Sequence, residues 1–179
     1  MDRILIVVDM QNDFIDFEKG ALGSIPAQNI VPAVVEKVKN FDGRVYFTRD
    51  THYENYSQTL EGEKLPIPHC IKGTWGWEIC DELKPYADKI INKDTFGFTD
   101  WEYLLRVNLD KKNYAPDEIE ICGLCTDICV ISNALILRAT YPNTKIIINE
   151  ALCAGSDVVG HVAALKAMER CQIDVIKAF

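Results

Sequence analysis

No run of apolar residues in the chain approaches the roughly 20 that a membrane-spanning helix needs, and there is no cluster of lysine and arginine. The first absence argues against a transmembrane helix. The second argues against a nucleic-acid partner, whose phosphates are met by concentrated positive charge. Internal repeats and low-complexity tracts are missing as well. So are the G-x-G-x-x-G and P-loop patterns that cradle nucleotide phosphates. The N-terminal apolar stretch, residues 4–8, is too short for a secretory signal and runs into charge. Seven cysteines are present. An odd number in a chain large enough to bury its own core speaks against a disulfide framework and for a reduced, cytosolic protein. Most of these thiols are expected to act as small buried hydrophobes.

What remains is the composition of a globular domain. The chain has 179 residues, 48% apolar and 26% charged, and a net charge of −8 spread along its length. That length suits one domain, residues 1–179. Short apolar runs alternate with helical patterns. Strands are expected at residues 3–8, 45–48, 89–92, 118–122, 145–148 and 173–176. Helices are expected at 30–39, 101–109, 127–140 and 157–170. In the third of these Val130, Ile131, Ala134, Leu135 and Leu137 should face inward. In the last, Asp157 should cap and Val158, Val162, Leu165 and Met168 should face inward. Alternation of this kind predicts an α/β fold of three layers, doubly wound on a six-stranded parallel sheet. Residues 51–78 carry turn signals and no sustained period, so they read as a long loop inserted in the domain.

Open parallel sheets bind ligands beyond the carboxyl ends of their strands. The residues expected there are Asp9, then Asp50 and His52, then Lys93, then 123–129 with Cys125 and Cys129. A thiol at the start of a helix meets backbone N–H groups that favour negative charge, which predicts a lowered pKa for Cys129. Asp9 at the end of a buried strand suits proton transfer, while Asp13 is the better candidate for bracing a turn. Asp50 and His52 are two apart on extended chain and project to one side. With His69 they offer a carboxylate and two imidazoles, a set suited to Zn, Mn or Fe, and Glu61, Glu63 or water could complete it. His161 sits mid-helix and reads as structural. Cys122, Cys125 and Cys129 lack the nearby fourth cysteine of a ferredoxin-type cluster.

These residues also carry a resemblance. Asp9-Met10-Gln11-Asn12-Asp13-Phe14, Arg49-Asp50-Thr51-His52, Pro68-His69-Cys70-Ile71-Lys72-Gly73-Thr74, Lys93 ahead of Phe96, and 122–130 together resemble the isochorismatase-like cysteine hydrolases of the nicotinamidase type. The resemblance implies a Cys129, Asp9, Lys93 triad and a divalent metal, zinc first, on Asp50, His52, His69 and Glu61. It further implies a cis Leu124–Cys125 bond, an oxyanion hole from the Cys125 and Cys129 N–H groups, and substrate contacts from Phe14 and Leu124. The implied activity is thioester-mediated hydrolysis of nicotinamide to nicotinate and ammonia, a reaction of NAD salvage. Small-molecule amide is then the partner, without nucleic acid or membrane, and a homo-oligomer is left open. The alternatives are a relative cleaving an N-carbamoyl compound or another small amide, and a flavodoxin-like binding module.

Overall fold

The computed structural model describes residues 1–107 and 114–177. Its centre is β1, Arg3–Val8, a β-branched run buried almost throughout, as suits a strand covered on both faces. It pairs in parallel with β2 (Arg44–Asp50) on one side and β4 (Glu118–Leu124) on the other. Outside β2 lies β3 (Ile90–Lys93); beyond β4 lie β5 (Lys145–Ala154) and β6 (Asp174–Ile176). The order is β3-β2-β1-β4-β5-β6, and every pairing is parallel. This is the expected six-stranded sheet. Strand order reverses between β1 and β4, which makes their carboxyl ends the natural crevice of the fold.

Helices α1 (Asn12–Ile15), α2 (Ile25–Asn40), α3 (Leu60–Lys64), α4 (Trp101–Val107), α5 (Ile131–Thr140) and α6 (Val158–Arg170) complete the chain. Burial of every residue of β4 requires cover on both faces. α2 supplies one layer across β4 and β5; α4, α5 and α6 pack side by side in another. None of these helices is long and apolar enough to cross a membrane.

Several boundaries differ from the sequence reading. α2 begins at Ile25, earlier than the apolar spacing suggests, because Ser24 caps it and Pro26 suits its first turn. β2, β4 and β5 run past their apolar stretches. Their last residues are held by the ladder, not by side-chain burial alone. The expected 101–109 helix is seen to Val107; residues 108 and 109 lie outside the described residues. The 127–140 helix divides into a π-helical turn, Thr126–Val130, and α5.

Three inward assignments fail. Leu135 is exposed because the inner stripe of this segment consists of Val130, Asn133, Ala134 and Leu137. Val158 and Val162 are exposed as well, while Leu165 and Met168 are buried as expected. The first turns of α6 meet the protein through Gly160 and His161, against Asp127 and Thr126, which swings the two valines outward. Asp157 does cap α6, accepting from Gly160 N at 2.7 Å. The 51–78 segment is less irregular than its sequence implies. It holds a short 3-10 turn (Tyr56–Gln58) and α3, and His52 bridges to Ile71.

Gly123 sits where β4 bends beside β1. Its φ is +112° and an added Cβ would run into the Val8 carbonyl. Gly123→Ala is therefore expected to destabilise the protein by about 3 kcal/mol or more, read as the shift in a urea-unfolding midpoint.

Candidate active site and metal centre

The sheet register assembles the site. Asp50 and Lys93 are the last residues of β2 and β3 and stand opposite each other in the ladder. Alternation puts their neighbours Arg49 and Asn92 on the other face, where Arg49 Nε donates to Asn92 Oδ1 at 2.9 Å. Thr48, two residues before Asp50, shares its face. By strict alternation Asp9 would point the opposite way, with Val7 and its partner Phe47. It does not, because Asp9 takes a left-handed conformation with φ +50°. For a non-glycine residue this costs about 1–2 kcal/mol. The conformation turns the carboxylate back across the sheet, where Thr48 Oγ1 donates to its Oδ1 at 2.7 Å.

Lys93 Nζ lies 2.7 Å from Asp9 Oδ2 and donates to Asp50 Oδ1 at 3.4 Å and to Cys129 Sγ at 3.5 Å. All four side chains are buried. Cys129 reaches this point from the π-helical turn after β4. In that turn Val130 N donates to Cys125 O at 3.0 Å, five residues back. Asn133 fixes the turn from below, donating from Nδ2 to Cys129 O at 2.8 Å.

Burial pushes the Asp9 carboxyl up, and the Lys93 charge offsets this only in part. Burial also opposes the Lys93 ammonium, but Asp9, Cys129 and Asp50 outweigh it and hold the proton on. Burial raises the Cys129 thiol well above its ordinary range; Asp9 adds to the effect and Lys93 counters it. The lowered pKa expected from a helix start is thus overturned. A short turn does not offset full desolvation beside two carboxylates, so burial disfavours the thiolate. Burial likewise pushes Cys125 up to about 12.

A second group adjoins the first. One ligand atom each from Asp50, His52, Glu61 and His69 falls within 4.8 Å of all the others. His52 Nε2 lies 3.2 Å from Asp50 Oδ2 and 3.5 Å from Glu61 Oε1. His69 Nε2 lies 3.8 and 3.7 Å from the same two oxygens. His69 Nδ1 donates to Ile67 O at 2.8 Å, which leaves the Nε2 lone pair facing the group. Two imidazoles and two carboxylates aimed at one point suit a divalent cation. Glu63, exposed on α3, is outside the group. Without a cation, burial opposes charge on His52 but Asp50 and Glu61 outweigh it and raise its pKa. Asp50 is pushed up by burial and drawn lower still by His52 and Lys93.

The stretch after β1 braces both groups. Gln11 Nε2 donates to the carbonyls of Asp50 and Trp77, each at 2.9 Å, and Gln11 Oε1 accepts from Asp50 N at 2.7 Å. Asp13 accepts from Cys70 N at 2.6 Å, next to His69, and from Ala21 N at 3.1 Å. That is the bracing role expected of it. The Leu124–Cys125 bond is trans, the ordinary state of a non-proline peptide, contrary to the cis bond the resemblance implies.

A cavity of about 690 Å³ opens over both groups, and Phe14, Leu124, Cys125 and Cys129 line it. The structure therefore brings together every site residue expected from sequence. Thr48, Gln11 and Asn133 were not foreseen. For Thr48 and Asn133 a signal was available in principle: each is a polar residue on the buried face of its strand or helix.

The sequence matches the family model of the isochorismatase domain over residues 3–178. A nicotinamidase of Schizosaccharomyces pombe is 30% identical over 96% of this chain and 91% of its own. The crystal structure of nicotinamidase PncA from Bacillus subtilis superposes with a TM-score of 0.77 at 27% identity, covering 99% of this chain and 100% of that one. Pyrazinamidase of Pyrococcus horikoshii, solved in complex with zinc, gives 0.79 at 27% identity over 99% and 100%. With thiol, carboxylate and ammonium gathered at the switch point of the matching sheet, the chain belongs to the isochorismatase family and, within it, to the nicotinamidase-type amide hydrolases.

Proposed function

We propose that this chain hydrolyses nicotinamide to nicotinate and ammonia, with Cys129 as nucleophile, Asp9 as proton carrier and Lys93 as the fixed charge between them. One observation carries the reading: a single ammonium, Lys93 Nζ, lies within 3.5 Å of both Asp9 and Cys129 and beside a second, metal-suited group. The S. pombe and B. subtilis relatives named as nicotinamidases support the substrate.

The chemistry follows from the protonation states. Cys129 rests as a thiol, so attack on the amide carbonyl requires its proton to leave as the C–S bond forms. Asp9 takes that proton, and its burial-raised proton affinity suits the task. Lys93 faces the negative charge on both sides of the transfer, on Asp9 before the proton moves and beside the sulfur as it develops charge. The resemblance assigns the developing oxyanion to the Cys125 and Cys129 N–H groups, although the Leu124–Cys125 bond is trans and lacks the cis geometry expected to aim them. Asp9 then protonates the amide nitrogen, and ammonia departs from a thioester. In the second half Asp9 removes a proton from water as it attacks the thioester and passes it to the sulfur as the C–S bond breaks; the nicotinic acid formed gives its remaining proton to solvent and leaves as nicotinate. Phe14 and Leu124 hold the ring from the cavity walls.

A divalent cation on Asp50, His52, Glu61 and His69 would supply a Lewis-acidic contact for the pyridine nitrogen, directly or through water. The donor set suits Zn, Mn or Fe, and the zinc in the P. horikoshii relative favours zinc among them.

Three outcomes test this function. Purified protein should release ammonia from nicotinamide, and Cys129→Ala should lower kcat by about 10⁴-fold or more with an unchanged circular dichroism spectrum; retained turnover would remove the nucleophile. Because Asp9 must be ionised to accept a proton, kcat/KM should fall at low pH, with an acid limb above the ordinary carboxylate range. Thr48→Val removes a hydrogen bond that favours the ionised form, so it should move that limb to higher pH. His69→Ala should weaken zinc binding by about 100-fold in a chelator competition and raise KM for nicotinamide more than it lowers kcat.

A further inference from the structure

Asn133 is fully buried on α5, and every hydrogen-bonding position of its amide is filled. Its Nδ2 donates to Cys129 O at 2.8 Å and to Phe96 O at 3.2 Å. Its Oδ1 accepts from Phe98 N and from Trp101 Nε1, each at 3.0 Å. Two N–H groups and two lone pairs are the whole capacity of a primary amide. Two carbonyls on one side and two N–H donors on the other allow the group one orientation only. The partners belong to segments far apart in sequence. Cys129 sits near the end of the π-helical turn after β4. Phe96 and Phe98 lie in the connection that leaves β3 just beyond Lys93, and Trp101 opens α4. In the sheet β2 and β1 stand between β3 and β4, so the ladder places the strands without holding this turn to that connection. Asn133 holds them. The connection runs so close over α5 that a Cβ on Gly97 would come within 2.5 Å of Ile136 Cδ1.

We infer that Asn133 is a positioning residue for the hydrolysis: by clamping the carbonyl of Cys129 to the connection after Lys93, it sets the separation of the Lys93 ammonium from the Cys129 sulfur. The inference rests on the function proposed above. That separation is 3.5 Å. Lys93 is the charge that counters burial, Asp9 and Asp50, all of which oppose a thiolate at Cys129. Its attraction weakens as the distance grows. A turn released from the connection therefore carries a sulfur that ionises less readily and is less well aimed at the amide carbonyl. The metal-suited group is braced elsewhere, by Gln11 at Asp50 and by Asp13 at Cys70 beside His69. Asn133 is not among the residues lining the cavity. Loss of the clamp is thus expected to cost turnover and to spare the binding of substrate and metal.

The test uses Asn133→Thr in the zinc-loaded protein. A threonine hydroxyl can still reach the Cys129 carbonyl four residues back, but it is too short to grip the connection. Two readouts are taken: steady-state kinetics with nicotinamide, and the pH dependence of Cys129 alkylation by iodoacetamide, followed by mass spectrometry of the peptide carrying that residue. The variant is expected to lower kcat by about 10- to 100-fold with KM and zinc affinity within about twofold, and to move the alkylation midpoint up by about one pH unit. Faster alkylation at every pH with an unmoved midpoint would mean that Asn133 only keeps the thiol covered, and overturns the inference. So does an unchanged kcat in a folded variant. If Asn133→Thr does not fold, Trp101→Phe decides: it removes one donor to Asn133 Oδ1 and keeps an aromatic ring, and it should shift the midpoint in the same direction by less, whereas no shift overturns the inference. A raised midpoint in a protein that releases no ammonia from nicotinamide overturns the proposed function and leaves the clamp standing.

Discussion

The site depends on one buried cation. Lys93 Nζ is the only ammonium described within reach of Asp9, Asp50 and Cys129, and removing such a charge from water costs several kcal/mol even after relaxation. Two carboxylates at 2.7 and 3.4 Å offset that cost. They need the lysine equally, since like charges enclosed together repel strongly at low dielectric. The cation therefore ties the two centres electrostatically. Asp9 belongs to the trio proposed to handle the amide and Asp50 to the group that suits a metal, and one side chain answers to both.

That arrangement is placed by backbone. The β2–β3 register puts Asp50 and Lys93 opposite each other, and the left-handed turn at Asp9 brings the third charge onto their face. The strain at Asp9 is held by Thr48, whose hydroxyl donates to the carboxylate. The segment that follows fastens the rest: Gln11 grips both backbone polar groups of Asp50, and Asp13 receives the Cys70 N–H beside His69. Six consecutive residues, 9–14, thus supply the carboxylate paired with Lys93, two braces and a cavity wall.

The sheet was legible in the sequence because its strands are short apolar runs punctuated by charge, and charge at the carboxyl end of a parallel strand marks the crevice. Asp9, Lys93 and Cys129 could be listed on that ground, and Asp50, His52 and His69 by their donor chemistry. Donor chemistry alone left Glu61 and Glu63 unseparated; the resemblance favoured Glu61, and Glu61 is the one that joins the imidazoles. Strand alternation alone would have sent Asp9 to the wrong face, since a positive φ leaves little trace in a local pattern. Helical periodicity misplaced Val158 and Val162 because the early part of α6 is oriented by Gly160 and His161. The protonation state of Cys129 was misread for a related reason: sequence shows the helix start but not how deeply the thiol is enclosed.

The enclosure of Cys129, which disfavours its thiolate, has a consequence for durability. Peroxides and alkylating reagents react with thiolates far faster than with thiols. A sulfur that gives up its proton only while bonding to a carbonyl spends almost none of its time in the vulnerable form. On the proposed mechanism, burial of Cys129 would thereby shelter the sulfur from oxidative damage between turnovers, a protection that a permanently ionised cysteine lacks.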